Sequence, residues 1–129
     1  MIRRILEMPG TFGIVARLSR RWSIVGFALG RIAADECEIL SLAVAPDHRG
    51  ARVGAMLLDG AMHQATKAGA EKLFLEVAED NDVARMLYDS RGFVPVGRRP
   101  DYYPRNDGTS AAAVTMSRGL ETDVFLTRT

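Results

Sequence analysis

The stretch ILSLAVAPDHRGARVGAMLL (residues 39–58) decides how the chain folds. A run of apolar residues ends at Ala45-Pro46. A short polar segment with two arginines and two glycines follows, and then a helical pattern begins. Such a passage from a buried strand into a helix leaves the first helical N–H groups without internal partners, at the positive end of the helix dipole. Gly50 and Gly54 permit close approach to the backbone, and Arg49 and Arg52 add positive charge. The junction therefore reads either as a phosphate or pyrophosphate site, or as an ordinary strand-to-helix loop with surface arginines.

Outward from this stretch, the pattern on the N-terminal side is of strands. Residues 3–8 look like the end of a helix stopped by Pro9-Gly10. Residues 11–18 and 22–32 read as strands around a turn at 19–21, and residues 33–37 are a further turn. Residues 38–45 are a third strand, whose nearly continuous apolar content implies burial on both faces. On the other side, residues 52–68 form a helix with Val53, Met56, Leu57, Gly60, Ala61 and Gln64 on one face, closed by Gly69. Residues 72–77 are a strand. Asn81 caps a helix over 82–91 that Gly92 ends. Residues 93–96 begin another strand, residues 101–110 read as a loop through Pro104 and Asp107-Gly108, and residues 111–117 are the last strand. Met56, Met62 and Met86 read as core filling, and His48 and His63 as surface residues. The early strands should be antiparallel. The strand–helix–strand unit should be parallel with a right-handed crossover. The fold class is therefore α+β, a mixed sheet with flanking helices. One domain over 1–118 and a tail over 119–129 are expected.

Composition narrows the function. The chain has 129 residues, 26% of them charged, and a net charge of +1, so no general polyanion surface is implied and nucleic-acid binding is not expected. Cys37 is the single cysteine, which excludes an internal disulfide and fits a reducing, cytoplasmic setting. No apolar run is long enough for a membrane span and no signal peptide is evident. The histidines lie apart from any cysteine or carboxylate cluster, so no metal site is expected.

Three motifs carry a resemblance. RGARVGAMLL (residues 49–58) resembles the R/Q-x-x-G-x-G/A signature of the GNAT acyltransferases, with Arg49 at its first position and Gly54 at its last. Arg52 stands where the family usually has a glycine, and as an arginine it is expected to need ordinary φ/ψ. LFLEVAEDNDVARMLYDSRGF (residues 73–93) is similar to the family's N-x-x-A-x-x-L-Y-x-x-x-G-F segment at Asn81, Ala84, Leu87, Tyr88, Gly92 and Phe93. RRPDYYPRNDG (residues 98–108) looks like the Tyr-Tyr-Pro loop of the branch that acetylates ribosomal-protein alanines, although Thr109, Ser110, Ala111 and Ala112 follow where that branch has acidic residues.

The resemblance implies the GNAT acyl-CoA N-acyltransferase fold, with the family's usual first strand and helix missing. It implies acetyl-CoA as co-substrate, bound by Arg49, Gly50, Ala51, Arg52, Val53, Gly54 and Ala55, by the backbone of Leu42, Ala43 and Val44, and by Asn81, which also reads as a helix cap. It implies Glu76 as general base and Tyr88 as acid; otherwise Glu76 is a solvated strand-end carboxylate and Tyr88 a half-buried aromatic with its hydroxyl tied to backbone. Tyr102 and Tyr103 would grip the acceptor or simply pack on the sheet. Glu79, Asp80 and Asp82 form an acidic patch, either a lure for a cationic peptide N-terminus or a solvated loop. The acceptor implied is a protein N-terminal amine, most simply an alanine of a ribosomal protein. An α-amino group has a pKa of about 8 and lysine about 10.4, so deprotonation at pH 7 costs roughly 1.4 kcal/mol for the first and about 5 kcal/mol for the second. A single carboxylate suffices for the first. The rivals are a GNAT enzyme for lysine, a polyamine or an antibiotic, and a weakly catalytic acetyl-CoA-binding partner protein. Oligomeric state is not legible.

Overall fold

The alternation of Cys37 and Ile39 with charged Glu36 and Glu38 makes one face of a strand and leaves the other to solvent. In the computed structural model, which describes residues 8–18, 23–50 and 52–120, that strand is β3 (Glu36–Val44). It follows β1 (Thr11–Arg17) and β2 (Ile24–Ala33). Then come α1 (Val53–Lys67), β4 (Lys72–Ala78), α2 (Asp82–Ser90), β5 (Val94–Pro104) and β6 (Ser110–Gly119). The hydrogen-bonded strand order of this mixed sheet is β1-β2-β3-β4-β6-β5. The chain forms two compact units, residues 74–118 being one and the flanking residues the other.

In the first unit β1 pairs antiparallel with β2, and β2 with β3 through the tight turn Ala34-Asp35. Helix α1 packs on all three strands. It buries Leu57, Leu58, Ala61 and Ala65, each large apolar side chain contributing about 1.5–3 kcal/mol. The buried face is therefore turned from the expected one: Met56 is 65% exposed, because Leu58 rather than Met56 faces the sheet. The helix ends in a Schellman motif: Ala70 N–H donates to the Ala65 carbonyl and Gly69 N–H to that of Thr66, with Gly69 at φ +92. Burial of β3 on both faces does not hold. Leu40 is exposed and bulges out, since Gly30 pairs with Ile39 while Leu29 pairs with Ser41.

In the second unit Asn81 caps α2, its side-chain oxygen accepting from Ala84 N–H at 3.2 Å. Gly92 at φ +84 turns the chain so that Phe93 is wholly buried, its ring 5.9 Å from that of Tyr88. β5 and β6 form an antiparallel hairpin from Val94↔Ser117 to Pro104↔Ser110. The loop expected over 101–110 is thus shorter. Its first residues continue β5, which ends the sheet order and so tolerates proline. Met86, expected in the core, is 73% exposed. Gly119 closes β6 and Leu120 is buried, so these two residues do not belong to a tail. The readings over residues 3–7, 19–22 and 121–129 lie outside the described residues.

Gly26 is where β2 accommodates α1. A Cβ there would lie 2.9 Å from both the Ala43 carbonyl oxygen and Leu57 Cδ1. Gly26→Ala is expected to lower unfolding free energy by about 1–3 kcal/mol, read as an earlier urea midpoint; an unchanged midpoint would contradict this packing. Cys37 is buried, and burial pushes its thiol up to about 11. It should resist alkylation at pH 8 in the native protein and react fully once the chain is unfolded in urea. Rapid native labelling would show that β3 opens.

Candidate functional site

In the first unit, the strand-to-helix junction begins where β3 ends. Pro46–His48 make one short 3-10 turn, and Arg49 returns to extended backbone with its Nε donating to the Val44 carbonyl at 3.3 Å. Gly50 has φ +82 and open space where a side chain would start. Arg52 precedes α1 at φ 66, ψ 12, in the left-handed region. The expectation of ordinary φ/ψ at Arg52 is overturned: the arginine adopts the conformation that the glycine of the motif would supply. For an L residue this costs about 1–2 kcal/mol.

The start of α1 has no side-chain cap and no acidic residue in its first turn. Its first internal hydrogen bond is Met56 N–H to the Arg52 carbonyl, 3.0 Å. The N–H groups of Val53, Gly54 and Ala55 therefore find no partner within the helix. Uncapped donors, flanking arginines and open space over Gly50 fit a pyrophosphate. Ala51 lies outside the described residues. Leu42, Ala43 and Val44 are half-buried and pair on one edge with Ala28, Phe27 and Gly26.

The other candidates lie in the second unit. Leu73, Leu75 and Val77 of β4 are buried, so Glu76 projects from the opposite, exposed face. Its carboxylate accepts from the Tyr103 hydroxyl at 3.3 Å. Tyr88 is the one buried residue of α2, and burial raises its phenol above the ordinary tyrosine value. No hydrogen bond to the Tyr88 hydroxyl is found among the described residues, and none of their buried side-chain oxygens or nitrogens lacks a partner. The Tyr88 hydroxyl is therefore not tied to the backbone of the described residues. Tyr102 is exposed, with the Arg99 guanidinium 4.5 Å from its ring centroid. The structure thus joins Glu76 to Tyr103 and leaves Tyr88 packed on Phe93.

Two carboxylates of the acidic patch, Glu79 and Asp80, are already partnered. Arg98 grips Glu79 through two hydrogen bonds of 2.5 and 3.1 Å, and Arg105 grips Asp80 through two of 2.5 and 3.2 Å. Arg85 also donates to the Glu79 carbonyl. Each guanidinium holds its carboxyl below the ordinary range, in both cases chiefly through the side-chain hydrogen bonds. These arginines escaped the sequence reading. The available signal was the opposite charge of Glu79-Asp80 and the arginine-rich segment 98–105. Among the described residues no group of histidine, cysteine, aspartate or glutamate could hold a metal, and no helix is long and apolar enough to cross a membrane.

Arg52 is unfavourable twice: in its backbone, and as a cation at the positive end of a helix, worth about 0.3–1 kcal/mol. Arg52→Gly removes both penalties, while the freer unfolded chain takes back about 0.4–1 kcal/mol. A net gain of about 1 kcal/mol is expected, seen as a later urea midpoint with an unchanged slope. A loss of stability would contradict the left-handed assignment.

Residues 2–93 match the Acetyltransferase (GNAT) family. The ribosomal protein bS18-alanine N-acetyltransferase of Haemophilus influenzae is 37% identical over 94 residues, 73% of this chain and 64% of that one. Its counterpart in Haemophilus ducreyi is 36% identical over 113 residues, 88% of this chain and 78% of that one. The chain thus spans just under two thirds of the first relative's length. The crystal structure of the ribosomal-protein-S18-alanine N-acetyltransferase from Escherichia coli superposes with a TM-score of 0.83 at 26% identity, over 94% of this chain and 76% of that one. With a family match across more than half its length and its strand–helix junction in place, the chain belongs to the GNAT acetyltransferase family.

Proposed function

We propose that the protein is an acetyl-CoA-dependent N-acetyltransferase acting on a protein N-terminal amine, most specifically the N-terminal alanine of a ribosomal protein. The observation that carries the cofactor half of this reading is the uncapped, doubly basic start of α1. The names of the relatives supply the acceptor half.

Bound acetyl-CoA supplies an activated acetyl thioester. The N–H groups of Val53, Gly54 and Ala55, with Arg49, Gly50, Ala51 and Arg52, receive the pyrophosphate. The main chain of Leu42, Ala43 and Val44 holds the pantetheine amides and polarises the reacting carbonyl. Asn81 contacts the cofactor while capping α2. Glu76 takes a proton from the incoming amine, directly or through water. Tyr88 serves the sulfur. A phenol near 10 is a weaker acid than a thiol near 8.5, so complete proton transfer to a free thiolate would run uphill by about 2 kcal/mol. Raising the phenol's pKa by burial makes it steeper. Tyr88 therefore assists by hydrogen-bonding the sulfur as charge develops, and solvent completes the protonation. Tyr102 and Tyr103 border the acceptor. A polyamine acceptor is disfavoured because Glu79 and Asp80 are already neutralised by arginine.

Incubation with acetyl-CoA and a panel of amines tests this, following thiol release and product mass. The panel holds an Ala-initiated ribosomal-protein peptide, the same peptide blocked at its N-terminus but carrying a free lysine, and a polyamine. Turnover is expected on the free N-terminal alanine alone. Glu76→Gln should slow it by about 10²-fold or more and Tyr88→Phe by roughly tenfold or more. Turnover on the blocked peptide or the polyamine would replace the substrate. Wild-type rates in the two variants would remove their roles.

A further inference from the structure

Glu76 stands on the exposed face of β4, where a carboxylate is free to swing among rotamers. A base for an incoming amine must be held in one orientation, and one group in the second unit does this. The Tyr103 hydroxyl donates to Oε1 of Glu76. No second hydrogen bond to the carboxylate is found among the described residues, so Oε2 stays open.

Tyr103 is itself unusually well fixed for an edge-strand side chain. The register of β5 against β6 breaks between Arg99 and Tyr103, where Asp101 takes φ 55, and pairing resumes at Tyr103↔Ala111. Such an irregularity re-aims the side chain that follows it. Ser110 Oγ donates to the Asp101 carboxylate at 2.7 Å and holds the distortion. The Tyr103 ring meets Tyr102 edge-on, centroids 5.0 Å apart at 83°. The Arg105 guanidinium lies 5.9 Å from its centroid and is gripped in turn by Asp80. Burial, followed by the nearby Glu76 charge, raises the Tyr103 phenol, so it remains a donor at neutral pH.

We propose that Tyr103 is a positioning residue for Glu76: its hydroxyl fixes one carboxylate oxygen and leaves the other free to take the amine proton. This rests on the reading of Glu76 as base and deepens it, since a hydroxyl committed to Glu76 is not also donating to the acceptor peptide.

The test is a double-mutant cycle on the full chain with acetyl-CoA and the Ala-initiated peptide, using Tyr103→Phe, Glu76→Gln and the pair. Tyr103→Phe keeps the ring and its packing and removes only the hydroxyl. We expect kcat to fall about threefold, the loss of one long hydrogen bond of 3.3 Å, with peptide KM within about twofold of wild type. In the Glu76→Gln background the same change should cost nothing more, because there is no base left to position. A rise in KM that recurs by the same factor in the Glu76→Gln background would overturn the proposal and make Tyr103 an acceptor grip. So would unchanged kinetics in Tyr103→Phe. Wild-type turnover by Glu76→Gln would remove the base reading itself, and the proposal with it.

Discussion

The reversal of the chain between β3 and α1 is the constraint on which the first unit depends. A strand must become a helix within a few residues, and it does so through Gly50 and Arg52, both in the left-handed region. The resulting helix start has bare N–H groups and cations where folding alone would favour an oxygen cap and a carboxylate. The local cost is about 1–2 kcal/mol for the arginine backbone alone. Burial of Leu57 and Leu58 at about 1.5–3 kcal/mol each offsets it, and both are within two turns of the junction. The close seat of α1, over Gly26 of β2 and with its own Gly60 against Ile14 of β1, makes that burial possible. Stability is thus surrendered at one point and recovered immediately beyond it.

The second unit is organised differently. β5 is exposed along nearly its whole length and takes little from apolar burial. Tyr103 and Arg98 on it, and Arg105 just past its end, instead reach the carboxylates of β4 and the loop after it: Tyr103 to Glu76, Arg98 to Glu79, Arg105 to Asp80. Exposed ion pairs are weak one at a time, but two-pronged geometry and clustering give them orientation. Their effect is to align and to neutralise. Under the proposed function, an acceptor approaching Glu76 would meet a carboxylate already aimed and two neighbours, Glu79 and Asp80, already paired, so selection would rest on shape and on the amine itself rather than on bulk charge.

The sequence made legible whatever is signalled locally. The early strands, both helices, the Asn81 cap and the Gly69 and Gly92 stops all stand close to where residue patterns place them, because each is set by neighbours a few positions away. The buried face of α1 was misassigned because small residues lie on more than one side of it, so periodicity could not choose between Met56 and Leu58. The length of β5 is not legible because Pro104 is a loop signal that an edge strand overrides, whereas Asp107-Gly108 does mark the turn. The left-handed Arg52 ran against the usual preference of its residue type. The arginine partners of Glu79 and Asp80 were invisible because they lie 19 and 25 residues away, beyond any local rule. At the candidate site the residue identities of Glu76, Tyr88 and Tyr103 could be read from the motifs, but the contact between Glu76 and Tyr103 could not.

The outer edge of β5 has a consequence for behaviour in a crowded solution. An exposed strand bearing Val94 and Val96 would ordinarily recruit strands from other molecules. Here Pro95, Pro100 and Pro104 remove backbone donors at three points, and the pairing is interrupted twice, between Pro95 and Gly97 and between Arg99 and Tyr103. A neighbouring chain finds no uninterrupted ladder on which to grow. The irregularity that aims Tyr103 also helps keep the molecule from polymerising along its own edge.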